Sequence, residues 1–362
     1  TTTMPYNYLT LGIEPFEHVY ETSPTNERIN WVMSHELLHV VAADQASGTD
    51  RFFRKVFAGK VAPTSGDPVS IFYSYLTNPR RYAPRWYHEG LAVFFETWMA
   101  GGIGRAQNGY DEMVFRAMVR DDAYFYDLVG IESEGTAADF QMGQLSYLYG
   151  TRFVSYMGWR DGPDKVVDWA KRQPGTKRSF ATQFKKVFGQ GITDAWREWI
   201  AWEKGWQQAN LDSIRQYPVT ATRPVTEKSL GSVSRSFFDP KRRELITAVR
   251  YPGEFAHIAA IDVDTGKSRK IVDIATPALY FVSSLAYDDS SGTVFYTTNN
   301  ARGWRDLNRV DVDSGESERL VRWARTGDLA FNRADKSLWG IMHHNGLVHI
   351  VRVPPPYDAV YV

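Results

Sequence analysis

Trp31-Val32-Met33-Ser34-His35-Glu36-Leu37-Leu38-His39-Val40-Val41 is the stretch on which the reading of this chain turns. Its centre is His-Glu-x-x-His, and the spacing carries the chemistry. On an α-helix, residues i and i+4 stack on one face, so His35 and His39 turn their imidazoles toward a common point. Two neutral imidazole nitrogens so placed suit Zn²⁺, and Glu36 stands beside them to take a proton from a water on the metal. The flanking Trp31, Val32, Leu37, Leu38, Val40 and Val41 predict a buried helix. Upstream, Ser23-Pro24-Thr25-Asn26-Glu27 offers Thr25 and Asn26 as N-caps, with acid in the first turn. A pattern with three fixed positions also arises by chance, and a buried His–His pair can be hydrogen-bonded core. Taken alone, the motif leaves both readings open.

A second stretch shifts the balance: Pro84-Arg85-Trp86-Tyr87-His88-Glu89-Gly90-Leu91-Ala92-Val93-Phe94-Phe95-Glu96. Here the chain resembles the gluzincins, zinc peptidases whose third ligand is a Glu on a helix following the His-Glu-x-x-His helix. Trp86, Glu89, Gly90 and Ala92 match their Trp-x-x-Glu-Gly-x-Ala motif. The resemblance implies a mainly helical peptidase domain, Zn²⁺ as cofactor, His35, His39 and Glu89 as ligands, and Glu36 as the catalytic base. Glu96 follows Glu89 by seven residues, two helical turns on, and is placed to orient a ligating imidazole from behind. His88 is a rival ligand. Adjacent helical residues point about 100° apart, so only one of the pair faces a metal, and the Glu-Gly-x-Ala frame favours Glu89. The 49 residues between His39 and Glu89 exceed the gap of the aminopeptidase branch.

Downstream, Gln144-Leu145-Ser146-Tyr147-Leu148-Tyr149-Gly150 contains the Tyr-x-x-Gly frame in which aminopeptidase-type gluzincins place an oxyanion-binding phenol. The resemblance implies that role for Tyr147, since a phenol donates a hydrogen bond where negative charge develops; helix packing is the alternative for Tyr147 and Tyr149. The Gly-x-Met-x-Asn signature that grips a substrate amine is missing, which favours an endopeptidase over an aminopeptidase.

The 362 residues suffice for two domains. Composition is that of an ordinary globular protein, 43% apolar and 23% charged. With a net charge of zero there is no basic footprint for nucleic acid, and no apolar run reaches membrane-span length. Without cysteine, disulfides and thiolate metal sites are excluded. Residues 5–20 lean toward β structure, as the remnant of a substrate-binding sheet. Periodicity then predicts helices over 26–44, 50–58, 68–77, 86–99, 110–120, 141–157, 163–171, 179–188 and 193–214. Trp196, Trp199 and Trp202 share a face of the last, as a packing seam.

From 1 to 217 the chain reads as the metallopeptidase-like domain, 218–231 as an extended linker, and 232–362 as repeats. Phe238-Asp239-Pro240, Tyr287-Asp288-Asp289 and Phe331-Asn332-Arg333 recur 49 and 44 residues apart. Ile261-Asp262-Val263-Asp264-Thr265-Gly266 returns 49 residues later as Val310-Asp311-Val312-Asp313-Ser314-Gly315, and His349-Ile350-Val351-Arg352-Val353-Pro354 keeps the strand without the turn. This is the period of a β-propeller blade and resembles the TolB type. The Asp-x-Asp-x-Gly turns lack the twelfth-position carboxylate of a calcium loop and read as tight turns. His343, His344 and His349 form a second His-rich patch, read as structural.

The fold class expected is multidomain α+β: a mainly helical gluzincin-type domain plus an all-β partial propeller. About three blades fit, so the remaining blades are expected from a longer natural chain or a partner subunit, with Val353-Pro354-Pro355-Pro356-Tyr357-Asp358 as an exposed loop lacking regular hydrogen bonding. Two functions follow. One is a zinc peptidase acting on peptide or protein substrates, whose family resemblance points to a periplasmic or secreted, bacterial setting. The other is a scaffold with a vestigial site and a partner-binding propeller; the retention of Glu36 favours the enzyme.

Overall fold

The computed structural model describes residues 2–3, 7–10, 28–133, 144–227, 232–251, 253–275, 283–300, 302, 304–344 and 347–362. Most of the expected β segment at 5–20, the caps Thr25 and Asn26, the start of the helix expected at 141 and the end of the linker lie outside them. The architecture is multidomain α+β. The chain divides into two compact units, the first running to Val219 and the second resuming at Thr220.

The first unit is helical. Its helices are α1 (Arg28–Asp44), α2 (Gly48–Val56), α3 (Pro68–Thr77), α4 (Arg85–Trp98), α5 (Gly109–Arg120), α6 (Gln144–Asp161), α7 (Pro163–Ala170), α8 (Phe180–Phe188) and α9 (Ile192–Ile214). Thr2–Thr3 (β1) pairs antiparallel with Tyr8–Leu9 (β2). The starts carry local causes. Asp67 accepts from the amides of Val69 and Ser70 ahead of α3, Asn108 from Tyr110 ahead of α5, and Ser179 from Ala181 ahead of α8. α6 runs past its expected end to Asp161, where Gly162 at φ +96° and Pro163 stop it.

The long gap between the two motifs is filled by α2 and α3. Asp50 of α2 is fully buried, takes hydrogen bonds from the Ser47 amide at 3.0 Å and the Arg172 guanidinium at 2.8 Å, and so ties this stretch to the segment after α7. Trp86, Trp169, Trp196 and Trp199 are fully buried with Phe153 and Phe184, and Trp86 and Trp196 lie 5.0 Å apart between ring centroids. The tryptophan face of α9 is thus a seam of the core. α1 departs from expectation. His35 and His39 are buried, but Leu37 and Val41 are 46% and 50% exposed. Each lies two residues, about 200°, round the helix from a histidine, so α1 buries one face only.

α4 and α6 cross at two glycines. A Cβ on Gly90 would stand 2.5 Å from the Gly150 carbonyl, and one on Gly150 would stand 2.2 Å from the carbonyl oxygen of Trp86. Both obstacles are main chain, which cannot swing aside.

In its described residues the second unit is three antiparallel meanders. Ser232–Val233 (β3) and Phe237–Asp239 (β4) both pair with Glu244–Arg250 (β5), followed by His257–Asp262 (β6) and Ser268–Asp273 (β7). The middle sheet is Ser284–Asp288 (β8), Thr293–Asn299 (β9), Arg305–Asp311 (β10) and Ser317–Val321 (β11). The third is Thr326–Phe331 (β12), Leu338–His344 (β13) and Leu347–Val353 (β14), with Tyr361 bridging back to Arg352. Successive side chains on a strand face opposite ways. Leu285, Tyr287, Val294 and Tyr296 therefore pack toward the first sheet, while Ala286 and Phe295 pack toward the third.

The repeated aspartates serve turns. Asp262 Oδ1 accepts from the amides of Asp264 and Thr265, and Asp311 Oδ1 from those of Asp313 and Ser314. The proline-rich loop is exposed at Pro355, Pro356 and Asp358, as expected, but the expected lack of regular bonding is corrected. The Tyr357 hydroxyl donates to the Lys336 carbonyl at 2.6 Å, its ring packs 4.7 Å from Phe295, and Tyr361 rejoins the strand ladder, so the loop is anchored.

The glycine crossing generates a paired prediction. Gly150→Ala should cost about 1–3 kcal/mol or more, as overpacking against an immovable backbone does. Gly205→Ala, mid-α9 with nothing within 4 Å of the new methyl, should add about 0.5–1 kcal/mol. Urea melts of the two variants check both signs.

Candidate metal centre

α1 presents His35 and His39 one turn apart, and α4 brings Glu89 against them. His35 Nε2 lies 3.1 Å from His39 Nε2 and 3.2 Å from Glu89 Oε2, and His39 Nε2 lies 3.4 Å from the same oxygen. Three donor atoms thus form a nearly equilateral triangle. An ion bound tetrahedrally at 2.0–2.1 Å needs ligand–ligand edges of roughly 3.3–3.4 Å, the geometry of protein zinc sites. An octahedral ion at the same distances needs edges near about 2.9 Å. The two edges to Glu89 sit closer to the tetrahedral value and the 3.1 Å edge between the histidines lies midway, and two imidazoles with one carboxylate are a donor set that zinc accepts. Among the described residues, this is the group of His, Asp or Glu side chains whose geometry could hold a metal.

His88 is excluded from that group by the helix. Its ring centroid lies 6.4 Å from that of His39, and its buried Nε2 has no hydrogen-bond partner among the described residues. Burial, then the neighbouring His39, pushes its pKa down to about 4, so it stays neutral.

Glu96 stands behind His35. Its Oε2 lies 2.8 Å from His35 Nδ1. Glu96 is fully buried, yet two-pronged contact with Arg105 compensates it: Nε to Oε1 at 2.8 Å and Nη2 to Oε2 at 2.8 Å. Arg105 Nη2 also comes within 2.7 Å of His35 Nδ1. In the tautomer with Nδ1 protonated both nitrogens are donors and the Glu96 carboxylate is their shared acceptor; in the other, Arg105 donates to Nδ1. With Nδ1 alone protonated, as a metal ligand requires, the lone pair of His35 sits on Nε2, inside the triangle; with both nitrogens protonated, Nε2 donates to Glu89 instead.

Burial would raise the Glu89 and Glu96 carboxyls, but hydrogen bonds from the histidines to Glu89, and from Arg105 and His35 to Glu96, hold both below the ordinary range. Burial in turn would lower His35, and its hydrogen bonds to Glu89 and Glu96 raise it instead.

Tyr147 reaches the same place from α6. Its ring stacks on His35, 6.2 Å between centroids and 21° between planes. Burial first, then the Glu89 carboxylate, raises its phenol above the ordinary value, so the hydroxyl keeps its proton. Tyr149 is different: fully buried, it packs among Phe115, Trp196 and Trp199. Glu36 is half-buried on α1 between the two histidines in sequence. Of the second His patch, His344 is exposed, with Nδ1 facing the Arg325 guanidinium at 3.0 Å. Arg105, absent from the sequence reading, follows Gly101-Gly102-Ile103-Gly104 directly after α4; that glycine run is the signal of a built turn.

No family model matches the chain, and no curated protein matches it. Among solved structures it is similar to TolB from Acinetobacter baumannii, at 12% identity and TM-score 0.31, covering 36% of this chain and 32% of that one. It is similar to a TolB from Agrobacterium tumefaciens at 14% identity and TM-score 0.30, covering 34% and 43%. A puromycin hydrolase matches at 14% identity and TM-score 0.28, covering 36% and 20%. The chain thus spans less than half the length of each. In the described residues, no helix is long and apolar enough to cross a membrane.

The donor triangle separates the two adjacent candidates on α4. Glu89→Ala should strip the protein of metal, whereas His88→Ala should retain about one Zn²⁺ per chain. Elemental analysis after gel filtration decides it, and retention by Glu89→Ala would remove that residue from the site.

Proposed function

We propose that this chain is a zinc-dependent peptidase that hydrolyses internal bonds of peptide or protein substrates, in a periplasmic or secreted setting. The observation that carries the reading is the His35–His39–Glu89 triangle, with edges of 3.1–3.4 Å suited to a tetrahedral ion. Bound there, Zn²⁺ would polarise the scissile carbonyl and acidify a water at neutral pH.

The chain's own residues do the rest. Glu36 accepts a proton from the attacking water and passes it to the departing amine, the acid–base role for which a carboxylate beside the ligands is suited. Tyr147 donates its phenolic hydrogen to the oxygen on which negative charge gathers. Its raised pKa keeps that hydrogen in place, and its stacking on His35 fixes where it points. Glu96 holds His35 with Nε2 as the donor atom. Glu89 remains ionised, as a ligand must. In this reading the β unit is a TolB-like partial propeller that selects or shields substrate.

Glu36→Gln should keep its zinc and lose hydrolysis of a peptide library by about 10²–10⁴-fold, since it removes the base without touching a ligand. Tyr147→Phe should lower kcat by about 10²–10³-fold at unchanged zinc content. A Glu36→Gln variant that cleaves at the parent rate would sink the mechanism.

A further inference from the structure

Arg105 stands outside both motifs, and the fold goes to some length to place it. α4 ends at Trp98. Gly101 and Gly102 then turn the chain back at φ of +121° and +75°, conformations that other residues rarely adopt. A Cβ on Gly104 would stand 2.8 Å from Thr97 Cα and 2.5 Å from its Oγ1, so only glycine lets the return lie this close. The Ala106 amide donates to Thr97 Oγ1 at 3.1 Å, docking the segment on the last turn of α4.

This return delivers Arg105 to Glu96. The backbone amide and Nε of Arg105 reach Oε1 at 3.3 and 2.8 Å, and Nη2 reaches Oε2 at 2.8 Å. The guanidinium carbon also lies 4.6 Å from the Trp31 ring centroid and 5.4 Å from that of Tyr147. One cation therefore holds the carboxylate behind His35 and lies over the phenol stacked on His35.

We propose that Arg105 is a positioning residue of the metal centre. It locks the Glu96 carboxylate at His35 Nδ1, so that Nε2 offers its lone pair to the triangle, and it sets the Tyr147 ring against the same imidazole. The proposal rests on the zinc reading given above. A carboxylate oxygen has two lone pairs. Arg105 takes one on Oε2 and the other is left for His35. Without the guanidinium, the carboxylate and the imidazole it holds are free to rotate, and the donor atom loses its fixed direction.

The test is Zn²⁺ affinity of the metal-stripped full chain, measured by competition with a chromophoric chelator. It is paired with ¹⁵N spectra of labelled histidine that report which nitrogen of His35 carries the proton. Arg105→Met should weaken Zn²⁺ binding about 10- to 100-fold and broaden or shift the His35 Nδ1 signal. Arg105→Lys, which keeps the charge but not the two-pronged grip, should lose less. Glu96→Gln should lose about as much as Arg105→Met, and the double variant no more than Glu96→Gln alone, because both act along one path. Parent-like affinity in Arg105→Met, or additive losses in the double variant, overturns the proposal and leaves the zinc reading standing. If Arg105→Met does not fold, Arg105→Lys decides, and parent-like affinity there overturns it. A parent chain that binds no Zn²⁺ more tightly than His39→Ala overturns the zinc reading, and this proposal with it.

Discussion

The site depends first on a steric fact: at Gly90 and Gly150, α4 and α6 touch main chain to main chain. Side chains of any size would force the helices apart by ångströms, and the loss would not stay local. Glu89 immediately precedes one glycine and Tyr147 lies three residues before the other. The crossing therefore sets how far the Glu89 carboxylate stands from the phenol. It also sets Trp86, whose carbonyl is the surface against which Gly150 packs, into the aromatic core with Phe153 and Trp196. Gly90 and Gly150 are two halves of one contact, and each lies within three residues of a side chain set against His35.

Electrostatics completes what packing begins. Glu89 and Glu96 are both held ionised in a largely buried space, and Arg105 supplies one positive charge against them. Arg85 stands 3.8 Å from Oε1 of Glu89, so the two carboxylates face two cations, and the field left at the donor triangle is that of Glu89 Oε2, faced by two imidazole nitrogens. The same field lifts His35 above its ordinary pKa despite burial. Thus the second carboxylate is stable in the interior only because its counterion is delivered by a glycine-built return from the end of its own helix.

Much of this was legible in the sequence, because it depends on spacing. Helical periodicity located α3 to the residue and the other described helices to within a few positions, and the i, i+4 and i, i+7 relations put His35, His39, Glu89 and Glu96 on faces that meet. Less legible was whatever depends on two distant segments at once. Nothing local to Arg105 states that its partner is Glu96, nor does Asp50 announce Arg172, 122 residues away. The exposure of Leu37 and Val41 was missed for a related reason. An apolar helix sequence says which residues tolerate burial, and the neighbouring elements decide which faces are covered. The anchoring of the proline-rich loop likewise hangs on one tyrosine finding a carbonyl in another strand.

Turn-capping and ion-paired acids occur in both units, but the helical unit also holds acids used in another way. In the β unit the recurring aspartates are consumed by their own turns: Asp262 and Asp311 accept from the amides that follow them, and Asp239 accepts from the amides of Lys241 and Arg242. Others close ion pairs with nearby arginines, as Asp264 does with Arg243 and Asp313 with Arg242. A carboxylate so engaged shapes a turn and has little left to offer a metal. In the helical unit, Glu89 directs an oxygen into a space shared by two histidines, and Glu96 steadies one of those histidines from behind. The repeat that dominates the second half by eye is thus the scaffold's own bookkeeping of hydrogen bonds. The unrepeated residues of α1, α4 and α6 are the ones whose donor atoms converge.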